Sequence, residues 1–195
     1  MSTKLALVAL SVLLPSLAQA QAHTHHPSAY AGEESRAIKS LSADDIAELR
    51  RGGGWGLAKA AELNGIPGPA HLLELRDAIP LDAAQIATLE ELFAAMQAEA
   101  IEEGERLIAL EAALEADFRD GTVTETSLRA QLDEIAATRG RLRFIHLRTH
   151  LETPKLLSEA QIERYNELRG YAADPCASVP VGHDPVMWRR HTGCN

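Results

Sequence analysis

From Ile86 to Phe118, apolar side chains recur at steps of three and four: Ile86, Leu89, Phe93, Met96, Ala100, Leu107, Leu110, Leu114 and Phe118. This spacing puts them on one face of an α-helix. The stripe lapses once, at Glu103-Gly104. At ~1.5 Å per residue, a helix over 82–118 extends about 55 Å. Asp120-Gly121-Thr122 ends it, and Thr124 or Thr126 can cap a second long helix over 124–153. There Leu128, Leu132, Ile135, Arg139, Leu142, His146 and Thr149 continue the spacing, with Pro154 near the end. Shorter helices are expected from Ser42 to Arg50, from Gly56 to Leu63 and from Pro69 to Ala78, and a last one from Ser158 to Arg169. The glycines 52–54, Asn64-Gly65, Pro80 and Gly170 act as stops. The pattern predicts an all-α protein built on a long antiparallel helical hairpin with short flanking helices.

Two phrases mark helix starts at the ends of this region: Leu81-Asp82-Ala83-Ala84-Gln85-Ile86 and Leu157-Ser158-Glu159-Ala160-Gln161-Ile162. Asp82 and Ser158 sit at N-cap positions, where a side-chain oxygen accepts an orphan backbone N–H. Gln85 and Gln161 fall at the third helical position and can reach back to the cap. Leu81 with Ile86, and Leu157 with Ile162, have the spacing of a hydrophobic staple. A third copy, Leu41-Ser42-Ala43-Asp44-Asp45-Ile46, has Asp in the place of Gln.

These phrases resemble the Leu-Thr-x-x-Gln motif of the Spy/CpxP family of bacterial periplasmic proteins, which includes heavy-metal sensor and resistance relatives. The resemblance covers roughly residues 70–171, with Asp82 and Ser158 in place of the family Thr. It implies a cradle-like homodimer with the hairpins at the interface. It also implies ATP-independent binding of unfolded or misfolded periplasmic proteins, or, in the sensor relatives, metal binding and an inner-membrane sensor partner.

An export signal is legible on its own terms. Lys4 precedes an apolar run from Leu5 to Leu14, and Ala18-Gln19-Ala20 offers a small-x-small cleavage site. The run is too short to span a bilayer, and no second stretch of about 18 apolar residues follows. Residues 1–20 therefore read as a signal peptide and 21–40 as a flexible His-containing leader. Residues 41–79 hold short helices, 80–171 the hairpin domain, and 172–195 a tail. Cys176 and Cys194, both in that tail, are expected to pair in an oxidising periplasm.

The formal net charge of −9 argues against nucleic acid or anionic membrane as a partner. Charge is also unevenly shared. Residues 82–118 carry ten acidic residues and one basic, whereas 124–153 carry five arginines and four acidic residues. Opposite charge thus favours pairing the two arms, though exposed pairs contribute only ~0–1 kcal/mol each. The apolar stripe must stabilise the rest, and a narrow stripe calls for cover from a second copy or from residues 42–79.

Candidate chemistry rests on histidines. His146 and His150 are one helical turn apart, close enough to share a metal ion. The same pair also arises as one hydrogen-bonded interfacial histidine beside an exposed one. In the metal-sensing relatives a helix His is followed four residues later by Met, alongside N-terminal histidines; here the second position is His150. If cleavage follows Ala20, the chain starts Gln21-Ala22-His23, a nitrogen set suited to Cu or Ni, with His25 and His26 nearby. Zn, Cu and Ni are the candidate metals, and no cofactor is required. His183, Met187 and His191 lie between the two cysteines. Enzyme signatures are missing. His146-Leu147-Arg148-Thr149-His150 lacks the Glu that a zincin helix needs, and Glu-x-x-His occurs nowhere. The chain reads as no enzyme.

Overall fold

The computed structural model describes residues 28–171, 179 and 184–192. The signal segment, His23, His25, His26, Cys176 and Cys194 lie outside the described residues. Residues 28–32 make turns in a unit of their own, and the main unit begins at Glu33. Among the described residues every regular element is helical.

Two long helices, α4 (Ala83–Asp120) and α5 (Glu125–Glu152), pack against each other. Their short partners are α1 (Ala43–Arg50), α2 (Lys59–Glu62), α3 (Pro69–Glu74) and α6 (Glu159–Arg169). Asp82 opens α4 and Ser158 opens α6 through complete capping boxes with Gln85 and Gln161. Ser42 with Asp45 and Thr124 with Ser127 do the same for α1 and α5. Gly121 closes α4 in the left-handed conformation at φ +68°, where a side chain would be strained.

Side-chain pairs fix how α4 meets α5. Glu99 bonds Arg148 at 2.7 Å, Glu103 bonds Arg141 at 3.0 Å, and Gln131 donates to Asp117 at 2.7 Å. As the residue number rises on α4 it falls on α5. The acidic arm and the arginine-bearing arm therefore do pair.

The apolar stripe is covered by the chain itself. Ile38, Leu41 and Leu49 are buried with Met96, Ala100, Leu107 and Ile108 of α4 and Ile135, Leu142 and Ile145 of α5. Trp55, Leu57 and Ile46 pack on the same cluster. A second cluster joins Leu72 and Ile79 to Leu89 and Tyr165. The lapse at Glu103-Gly104 has a physical reason. A Cβ on Gly104 would stand 2.6 Å from the Leu49 carbonyl oxygen, so glycine lets the end of α1 lie directly on the α4 backbone.

Several expectations need correction. The leader expected over 21–40 enters the fold earlier: Glu33–Ser35 is a 3-10 turn and Ile38 is buried. One apolar side chain has no period, so the pattern could not show it. Phe118 and Leu132, both expected in the stripe, are 57% and 47% exposed. The cover's hydrogen bonds from Lys39 reach α4 at Glu115, one turn short of Phe118. Arg139 is also exposed, its guanidinium 5.0 Å from the Trp55 ring centre. The helices expected over 56–63 and 69–78 shorten to α2 and α3. In the tail, where an irregular loop is expected, Pro185–Thr192 forms a helix, α7. Asp184 accepts the Val186 and Met187 N–H groups at its start.

Candidate functional site

The two motif glutamines meet. Gln85 Nε2 donates to Gln161 Oε1 at 3.0 Å, and Gln161 Nε2 donates back to Gln85 Oε1 at 2.9 Å. Each second amide proton goes to a carbonyl, Leu156 O for Gln85 and Pro80 O for Gln161. Each Oε1 also accepts its own cap N–H, from Asp82 or Ser158 at 2.9 Å. Both amides are thus fully satisfied in a near-symmetrical clasp between the starts of α4 and α6. Gln161 is buried, so a lost partner there leaves a desolvated polar group. Leu81 and Leu157 pack on the second cluster below it. Ile86 and Ile162 are half-buried.

Beside the stripe lies a cavity of ≈ 300 Å³ between α1, α3, α4 and α5. Glu48, Arg51, His71, Phe93, Met96, His146 and His150 are among its lining residues. Both helix histidines are buried, at 4% and 5% exposure, so neither is the exposed partner that packing alone would suggest.

Their roles differ. His150 Nδ1 donates to Ile66 O at 2.9 Å, which leaves Nε2 as its lone-pair nitrogen in the neutral ring. Gly68 lies against that nitrogen, since a Cβ there would stand 2.5 Å from it. His150 therefore pins the Ile66–Pro69 loop to α5. His146 Nε2 is buried and has no hydrogen-bond partner. Burial, then the neighbouring His150, hold the His146 pKa below the usual histidine value, with Glu48 acting the other way. Its ring is neutral near pH 7. Thr149 Oγ1, one turn on, donates to the His146 carbonyl at 2.6 Å.

Among the described residues no set of three His, Cys, Asp or Glu side chains is assembled to hold a metal ion. The pair thus offers one open imidazole, His146, rather than a full shell. His71 escapes the sequence reading. Its Nδ1 lies 3.2 Å from Glu62 Oε1, a pairing that leaves Nε2 for other contacts. The phrase Ile66-Pro67-Gly68-Pro69 just before it was the available signal, because a proline-rigid turn sets the direction in which α3 leaves it. Met187 lies on α7 and is 66% exposed.

The outer surfaces of the long helices carry exposed apolar side chains. Phe144 and Leu151 are 60% and 64% exposed on α5. Together with Ile101 and Phe118 on α4 and Leu132 on α5, they stand among charged neighbours. No helix among the described residues is long and apolar enough to cross a membrane. Comparison with protein-family models, curated proteins and solved structures gives no match to this chain.

Proposed function

We propose that the protein is a periplasmic stress-response protein of the Spy/CpxP type that holds misfolded chains without ATP. The observation that carries this reading is the set of exposed apolar side chains on the two long helices, Ile101, Phe118, Leu132, Phe144 and Leu151. Scattered aliphatic and aromatic groups among charges bind an unfolded chain weakly and release it without a nucleotide. The Gln85–Gln161 clasp supports the family resemblance, because it gives both motif copies one physical purpose. On this reading an antiparallel hairpin pairs with that of a second copy, and an inner-membrane sensor is a further partner. The test is suppression of aggregation of a reduced model substrate. The mature protein should suppress it at a few-fold molar excess, and replacing the five side chains by Ser should abolish the effect. No suppression by the unaltered protein at several-fold excess overturns the reading.

A second reading, a heavy-metal-binding sensor or resistance accessory, is favoured by one observation, the unpartnered Nε2 of His146. That nitrogen is a ready ligand for Zn, Cu or Ni, and His23, His25 or His26 would complete the shell. Calorimetric titration with each metal tests it. His146→Ala should weaken binding at least tenfold, or ~1.4 kcal/mol, as should removal of residues 21–26. Unchanged binding in both variants, or none in the parent, rejects it.

A further inference from the structure

The larger of the two buried apolar clusters lies along the seam between α4 and α5, and residues from 38 to 57 close it over. What covers the seam is unusual for a core. The segment 33–79 has only short helices of eight, four and six residues, joined by turns, and it inserts isolated apolar anchors: Ile38, Leu41, Leu49, Trp55 and Leu57. Between the anchors its backbone touches α4 directly. Leu49 O lies over Gly104, and the Arg51 carbonyl accepts a hydrogen bond from Gln97 Nε2 at 3.0 Å. Gly52, at φ +65°, sits so close that a Cβ would stand 2.7 Å from Gln97 O. Spaced apolar anchors, and main chain on a surface notched by glycine, are how an irregular polypeptide binds a helical groove.

The fastenings of this cover are of two kinds. At its first end Lys39 pairs with Glu115 and Ser40 donates to Glu111; at the end of α1, Arg50 pairs with Glu105, both side chains more than half exposed. These are solvent-facing polar contacts, which salt screens. Beyond α1 comes a run of glycines, Gly52-Gly53-Gly54-Trp55-Gly56, in which Trp55 alone of the described non-glycine residues has positive φ, at +42°. Past that run, His150 and the Ile66–Pro69 loop hold the rest of the segment in place. The part before the glycines is thus anchored separately from the part after them.

We propose that residues 33–51 are an autoinhibitory cover: they fill, within the chain, the α4–α5 seam that a non-native polypeptide binds, and their release exposes it. This rests on the client-holding reading above, and it adds the place where most client affinity resides and the element that restrains it. The exposed side chains of the outer helix faces then give basal holding, and the seam gives the released state a larger capacity.

Two variants test this independently, both scored by suppression of aggregation of reduced lactalbumin and by binding of an apolar dye. Gly104→Leu pushes Leu49 and the end of α1 off α4 while leaving the clasp and the α4–α5 ion pairs intact. It should raise dye binding and improve client holding at least threefold per mole, with helicity close to the parent. The opposite variant, Lys39→Cys with Glu115→Cys in a Cys176→Ser, Cys194→Ser background, is bridged by a short cleavable bis-maleimide. Bridging should cut holding to the basal level, and cleavage of the linker should restore it. If Gly104→Leu unfolds, the bridged variant still decides. If the parent holds client equally well with the cover bridged or free, the cover is not inhibitory and client holding stands without it. If neither the parent nor the opened variant holds client, the client-holding reading fails and takes the cover with it.

Discussion

Gln85 and Gln161 show most directly what single residues contribute. Each amide uses both donors and accepts twice, so removing one leaves the other with unsatisfied groups. Gln85→Ala and Gln161→Ala should each lower unfolding free energy by ~1–3 kcal/mol. The double variant should lose less than the sum, because the second deletion removes a group already orphaned; urea unfolding of all four proteins measures the cycle, and strict additivity would show that the clasp carries no coupling. The sequence made the caps legible, since capping chemistry is local. It could not make the clasp legible, because cap spacing does not say which two helix starts meet. His146 adds a pH dependence. Its folded pKa is depressed, so folded and unfolded states are both neutral well above ~6.5. As pH falls through that value the unfolded chain takes up the proton first, and stability declines until the lower folded pKa is reached. The urea midpoint should therefore drop between pH 7 and pH 5, and His146→Leu should drop less over the same window. An equal fall in both would assign the dependence to other groups.

The helices follow their sequence signals closely where the signal is periodic. Both long elements begin at the expected caps, and Gly121 ends α4 as the Asp-Gly-Thr phrase predicts. The residues 33–79 are where pattern reading loses resolution. There Leu41, Leu49, Leu72 and Ile79 are each almost wholly buried, yet they sit in pieces too short to show a period. Their burial is decided by where the chain crosses α4, which is a tertiary fact. Gly104 is the sequence's own record of that crossing, visible as a lapse in the stripe and explicable only once Leu49 is seen above it. In an isolated helix Gly→Ala gains about 1 kcal/mol. Here Gly104→Ala should instead lose ~1–3 kcal/mol, because overpacking against a backbone oxygen outweighs propensity. Gly140, with open space around it, is the internal control, and Gly140→Ala should stabilise. Thermal unfolding of the two variants checks both signs, and a stabilised Gly104→Ala would mean that α1 yields easily.

Across the whole molecule, the cover changes the argument for association. A bare two-helix stripe needs a partner, but here Ile38, Leu41 and Leu49 already bury it, so that demand no longer favours a dimer. What remains is the outer face of α5, where Ala136, Gly140, Phe144, Leu147 and Leu151 follow one another at steps of four and three. Phe144 and Leu151 lose little by being polar in a single chain, since both are more than half exposed. Between two chains the same change would bury charge against charge. If the proposed dimer forms through this face, Phe144→Glu with Leu151→Glu should convert it to a monomer in sedimentation at micromolar concentration, and the unfolding midpoint extrapolated to low concentration should stay near that of the parent. The same face is part of the proposed client surface, so dimer and client compete for it. Adding reduced substrate to the parent protein should then shift its sedimentation from dimer toward client-bound monomer. A dimer that persists unchanged with client bound would place the two contacts on different faces, and a parent already monomeric would leave α5 to the client alone.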